Sequence, residues 1–125
     1  MAMPFLPLEG VRVVDVTSSF AGPYCTEILA ALGADVVKVE HPDRGDEARA
    51  WGPPFRDDAS VLFYAANLSK RSLALDLKRG RDVLLRLVET AQVFIQSMRP
   101  GTAERLGFGA EVAAKAMAPK EPVPA

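Results

Sequence analysis

The segment Val11–Gly33, VRVVDVTSSFAGPYCTEILAALG, constrains the fold of this chain more than any other. Val11, Val13, Val14 and Val16 form a nearly continuous β-branched run, the pattern of a strand covered on both faces in a parallel sheet. A helix is predicted to follow at once. Pro23 suits a first helical position, Cys25, Ile28, Leu29 and Leu32 recur at helical spacing as its apolar face, and Gly33 is placed to end it in a left-handed conformation. The turn between them, Thr17 to Gly22, then offers backbone N–H groups at a helix N-terminus, where the dipole favours phosphate or carboxylate. A second strand, Asp35–Glu40 (DVVKVE), is bounded by Gly33 and by His41-Pro42 and completes one βαβ unit.

Asp43 to Asp58 carries glycine, paired prolines and mixed charge without periodicity, so it is expected to be a long surface loop that covers a site. Ala59 to Leu68 fits a short helix or a strand by periodicity alone; a helix ending near Asn67 is the expectation. Ser72–Leu77 reads as a strand, and Asp82–Ala91 as a helix with Leu84, Leu87, Val88 and Ala91 on one face. Val93–Gln96 reads as a further strand. Two βαβ units in succession imply an α/β, Rossmann-like open sheet with right-handed crossovers. Arg99-Pro100-Gly101 turns the chain, Thr102–Leu106 makes a short helical turn, and Gly107-Phe108-Gly109 breaks it. The domain is expected to span 1–109. The Ala- and Pro-rich stretch 110–125 has little to bury and is expected to be frayed.

With 125 residues and 49% hydrophobic content, there is enough apolar material for one buried core. The net charge of −1 is made of dispersed charges, which argues against nucleic acid or a membrane surface as partner. The one cysteine, Cys25, can form no internal disulfide; it is expected as a small buried hydrophobe in a reducing compartment. The segment MAMPFLPLEG lacks a basic stretch leading into a long apolar run, so a cytoplasmic location is the expectation. No metal ligand set is expected. The Thr17–Gly22 turn admits a purely structural reading as a βα loop and a functional one as a nucleotide-binding turn. Neither G-x-G-x-x-G nor a P-loop is present, and Glu40 is the only feature shared with an NAD-binding fold, so a dehydrogenase is not indicated.

Four blocks, LEGVRVVDVTSSFAGPYCTEILAALGADVVKVE, GDEARAWGPPF, NLSKRSLALDLK and RPGTAERLGFG, together resemble the N-terminal part of the class III CoA-transferases. This is the carnitine dehydratase and bile-acid-inducible group that includes formyl-CoA transferase. The resemblance runs from about Leu8 to Gly109. It implies coenzyme A, bound non-covalently as substrate, lying along the crevice outside the strand ends. The matching contacts are Ser19, Phe20 and Ala21 in the first βα turn. His41 falls where relatives usually carry an arginine against the adenine ring. Leu75, Asp76, Leu77 and Lys78 match the adenosine- and phosphate-contacting segment, with Lys78 as a point charge. Ser97 and Met98 stand where many relatives have Asn-Phe, and Arg105 matches an arginine near the phosphates. Arg99 is a further cationic candidate, and Trp51 and Phe55 are candidates to bound an acyl pocket.

The same resemblance implies transfer of CoA between an acyl-CoA thioester and a carboxylic acid through an aspartyl anhydride. None of Asp15, Asp35, Asp43, Asp46, Asp57, Asp58, Asp76 or Asp82 matches the position of the family's nucleophile, so the chain is expected to be an N-terminal fragment, inactive alone. Full-length relatives form intertwined homodimers. Two alternatives stay open at this point. One is a piece of an α-methylacyl-CoA racemase, which shares the N-terminal pattern; the other is a non-catalytic module that binds CoA or complements a separate chain.

Overall fold

The computed structural model describes residues 5–117. The valine run forms strand β1, Arg12–Val16, and helix α1 follows as Ala21–Ala31. Strand β2 is Asp35–Glu40. The long connection holds a single 3-10 turn, Glu47–Ala50, and a two-stranded hairpin of β3, Phe55–Arg56, and β4, Ala59–Ser60. Helix α2, Val61–Ala66, ends at Asn67, and strand β5 is Arg71–Ala74. Helix α3, Arg81–Glu89, leads to β6, Val93–Gln96, and two helices finish the described chain: α4, Thr102–Leu106, and α5, Ala110–Met117.

The central sheet is wholly parallel, in the order β5-β2-β1-β6. The first βαβ unit places its two strands side by side, as expected of an open α/β sheet. The second does not: β5 and β6 lie on opposite edges, and α3 carries the chain past β2 and β1. Winding therefore reverses between β1 and β6, and in sheets of this type a ligand crevice opens at such a reversal, outside the carboxyl ends of the strands.

Side-chain alternation divides the sheet into two faces. On one, Val14, Val16 and Val39 pack with Leu84, Val88, Ala103 and Phe108, the last of which meets Phe94 edge-on at 6.3 Å. Each such fully buried side chain contributes about 1.5–3 kcal/mol relative to exposure, which makes this the main core. On the other face, Val13 and Val36 pack under α1 with Leu29 and Ala30, but only along the first half of the strands. Further along, the inward positions are Asp15, Lys38 and Glu40, all buried.

Two expectations from the sequence are corrected by this packing. Helix α1 starts two residues before Pro23, and the residues it buries are Pro23 and Thr26, while Cys25, Ile28 and Leu32 are exposed. The cause is polar: the Thr26 hydroxyl donates to buried Asp15 at 2.6 Å, which turns the helix away from its most apolar face. The second correction concerns the stretch from 110, expected to be frayed. Its first eight residues form α5, with Ala113 buried and Ala116 and Met117 against the main core. Alanine is the strongest helix former, and its small side chain lets α5 lie close on α3. Residues 118–125 of that stretch, and 1–4 at the other end, lie outside the described residues.

Candidate functional site

A cavity of about 490 Å³ opens across the carboxyl ends of all four parallel strands, within the range of small-molecule sites. Val16, Thr17 and Ser18 enter it from β1, and Glu40 and His41 from β2. The Arg44–Asp46 turn forms a wall, Leu75–Lys78 come from the end of β5, and Ser97 and Met98 follow β6. Leu106 of α4 closes the apolar side.

Of the residues expected from the sequence, His41, Leu75, Asp76, Leu77, Lys78, Ser97 and Met98 are brought together here. Ser19, Phe20, Ala21 and Arg105 do not line the cavity. The β1–α1 turn reaches it through Thr17 and Ser18 instead, and Ser18 N–H points to the Ser97 hydroxyl at 3.4 Å. Ser19 lies one step behind, in a left-handed conformation (φ 74°), with its N–H donated to Asp46 Oδ1 at 3.0 Å and its hydroxyl to Glu47. Phe20 stacks on Tyr24 at the surface. Arg105 is held by the Thr102 hydroxyl on α4, and Trp51, Phe55 and Arg99 lie outside the lining.

Behind the cavity lies a buried ionic framework that the sequence reading did not single out. Asp15, fully enclosed, accepts from Thr17 N–H (2.8 Å), the Thr17 hydroxyl (2.5 Å), the Thr26 hydroxyl (2.6 Å) and Lys70 Nζ (3.1 Å). Burial holds the Lys70 ammonium below the usual lysine range despite the attraction of Asp15. Lys38 donates to the Thr17 carbonyl at 3.1 Å and to Asp46 Oδ2 at 2.8 Å. Asp46 also caps the 3-10 turn by accepting from Ala48 N–H. Glu40 accepts from Arg49 through both carboxylate oxygens and from Asp46 N–H, and the Arg49 guanidinium sits 4.0 Å over the Phe63 ring. No described buried side-chain polar atom lacks a partner. The framework thus clamps the β1–α1 turn to the connection that follows β2, and both form walls of the cavity.

These charges predict acid lability. Burial pulls the Glu40 carboxyl upward, but hydrogen bonds from Arg49 and Asp46 N–H, with the charges of Arg49 and Lys38, outweigh it and hold Glu40 below the usual range. Asp46 is likewise raised by burial and lowered further by Lys38 and by the Ala48 and Ser19 N–H groups. A carboxyl with a depressed folded-state pKa contributes stability that is complete above its unfolded value, about 4, and is lost as pH falls through the folded one. The free energy of unfolding is therefore expected to fall below about pH 4, and Glu40→Gln to flatten that fall. Urea titrations at stepped pH check this; parallel pH curves for the two proteins would exclude Glu40 as a source of the slope.

The crevice takes in the winding reversal and has polar walls and one apolar side. The sequence profile of CoA-transferase family III matches residues 8–120, and the chain belongs to that family. Among curated relatives, succinyl-CoA:glutarate CoA-transferase of Mus musculus is 43% identical over 107 residues, which is 84% of this chain and 24% of that protein. Formyl-CoA:oxalate CoA-transferase of Rhodopseudomonas palustris is 42% identical over 103 residues, 81% of this chain and 24% of that protein. A solved CAIB/BAIF family protein from Brucella suis superposes with a TM-score of 0.84 at 37% identity, covering 90% of this chain and 31% of its own. A hypothetical protein from Mycobacterium tuberculosis gives 0.81 at 38%, with 90% and 31% covered. The chain spans about a quarter of the length of the curated relatives it matches. Among the described residues, no helix is long and apolar enough to cross a membrane.

Proposed function

We propose that this chain forms the coenzyme A half-site of an acyl-CoA transferase that moves CoA between an acyl thioester and a carboxylic acid. The observation that carries this reading is the cavity at the carboxyl edge of the sheet, which spans all four strand ends and takes in the winding reversal, in a chain of CoA-transferase family III. Thr17 and Ser18 offer the backbone of the β1–α1 turn, with Ser19, Phe20 and Ala21 as outer contacts. Leu75–Lys78 receive the adenosine, and Lys78 meets a phosphate as a point charge. Ser97 and Met98 form the wall along the pantetheine arm, and Arg105 approaches the phosphates from α4.

In the reaction so proposed, a carboxylate oxygen bonds to the thioester carbon, the C–S bond breaks, and CoA leaves as a thiolate. The aspartates of this chain are not assigned that role. Asp15 is enclosed and saturated by its donors, and Asp46 is tied to Lys38, so neither can reach a thioester. The chain by itself is expected to show no turnover. Within the proposal CoA is a non-covalent substrate, no metal takes part, the whole protein works as a homodimer, and its compartment is the cytoplasm.

Isothermal titration with CoA tests the reading. Binding is expected at low ionic strength, and Lys78→Ala is expected to weaken it by about fivefold, the upper end for one exposed charge pair. That loss should shrink as salt is added. Equal affinity of the two proteins would remove Lys78 from the site, and absence of any heat with the native chain would sink the reading.

A further inference from the structure

We propose that the turn His41–Gly45 is the phosphate-reading element of this cleft, with Arg44 carrying the fixed charge and His41 acting as both brace and N–H donor. The inference rests on the coenzyme A reading given above. His41 Nδ1 accepts from Asp43 N–H at 3.1 Å and from Arg44 N–H at 3.4 Å, and Gly45 N–H returns to the His41 carbonyl at 2.9 Å. A ring nitrogen that accepts carries no proton, so the imidazole is the Nε2–H tautomer. Its one polar atom left for a ligand is a donor. Gly45 has φ +63°, and a methyl group there would lie 2.8 Å from Glu40 Oε2 and 3.1 Å from Arg49 Nε. The turn is therefore pressed against the Glu40–Arg49 pair and has little freedom to retreat from the cavity.

The balance of charge around the cavity points the same way. Of its acidic lining residues, Glu40 is paired with Arg49 and Asp46 with Lys38. Asp76 accepts from Lys78 N–H at 3.0 Å. Arg44 and Lys78 make no ion pair among the described residues. Asp43, within the turn, is likewise in no ion pair among the described residues, but it does not line the cavity, whereas Arg44 and His41 do. The turn thus presents its guanidinium and the donor-only imidazole to the cleft beside carboxylates, Glu40 and Asp46, that are already paired. This combination recognises an acceptor-only anion, a phosphate monoester or diphosphate of a nucleotide.

Three side-chain changes separate the two roles of the turn. His41→Asn keeps an acceptor oxygen where Nδ1 sits but removes the outer donor; His41→Gln keeps an outer N–H and gives up the acceptor; Arg44→Ala removes the charge. Arg44→Ala is expected to weaken CoA by about fivefold at low salt, with less loss at high salt. His41→Asn should weaken CoA while leaving the thermal transition unchanged, and His41→Gln should lower that transition. Dephospho-CoA distinguishes the phosphates: if Arg44→Ala loses nothing further with it, the ribose phosphate is read, and if the loss persists, the diphosphate is. Unchanged CoA affinity in Arg44→Ala and His41→Asn, with the native chain binding CoA, overturns the inference and spares the coenzyme A reading. Because His41 is the only histidine of the chain, long-range proton–nitrogen correlation spectra read its tautomer directly. A proton on Nδ1 overturns the inference whether or not CoA binds. Should CoA not bind, pyrophosphate is the remaining probe: a shift of His41 Nε2 that Arg44→Ala abolishes supports the turn, and no shift overturns it.

Discussion

Replacing Asp15 with alanine is expected to destabilise the fold by about 3–5 kcal/mol, the cost of leaving a buried partner charge uncompensated. Lys70, whose side chain is only 2% exposed, would keep the Pro23 carbonyl at 2.9 Å and Asn67 Oδ1 at 2.8 Å but lose its counter-ion. Thr17 N–H and the Thr17 hydroxyl would lose their acceptor inside the core, while the Thr26 hydroxyl would keep the Pro23 carbonyl at 3.1 Å. Against a total of about 5–15 kcal/mol for an ordinary domain, that is enough to unfold a large fraction of molecules. The loss belongs to the orphaned charge rather than to the pair as such. Asp15→Leu combined with Lys70→Met should therefore recover much of it, since apolar replacement of both members is commonly neutral or better. Urea unfolding of the single and double variants makes the comparison. A single variant within about 1 kcal/mol of the native protein, the range of an exposed ion pair, would show that Asp15 is not part of a coupled buried framework.

The residues of that framework explain what the sequence did and did not reveal. Strands β1, β2 and β6 and helix α3 are legible because valine runs and helical spacing report burial directly, whereas α1 was legible as a helix but not in the face it buries, which Pro23 and Thr26 set. Asp15 and Lys38 sit inside those same valine runs, and in the parallel register they face each other as partners on adjacent strands. Their positions share a face with Val13 and Val36 by alternation, so the signal was present: two charges at period 2 in strands that otherwise read as buried. Their partners were not legible. Asp15 pairs with Lys70 and Lys38 with Asp46, and both partners come from the connection between β2 and β5, at positions outside its one periodic stretch, and that connection folds over this half of the sheet. The strand order was hidden for a related reason. Nothing local in Leu75–Glu89 says that α3 must pass two strands; that follows from Leu84 and Val88 packing beneath Val14, Val16 and Val39. Within the cavity, strand-end residues were anticipated, whereas Arg44 and Asp46 were not, because a loop of mixed charge does not disclose which of its charges turn inward.

Gly22→Ala is expected to destabilise the protein by about 1–3 kcal/mol, the range for an overpacked core, although alanine favours a helix interior over glycine by about 1 kcal/mol. Sterics outweigh propensity at this position. A methyl group on residue 22 would sit 2.4 Å from Thr17 Cβ, 2.7 Å from its Cγ2 and 2.8 Å from its hydroxyl oxygen. Thr17 cannot give way cheaply. It is 3% exposed, its N–H and hydroxyl are both fixed on Asp15, and its carbonyl takes the Lys38 ammonium. Relief must come from moving the start of α1 or from breaking the bonds to Asp15 and Lys38, and either displaces Thr17 and Ser18 from the cavity wall. Two measurements should therefore fall together: the unfolding midpoint in urea and the affinity for CoA. A midpoint at or above that of the native chain would mean that the turn has slack that this packing does not contain. Loss of stability with CoA affinity retained would detach the β1–α1 turn from the ligand site.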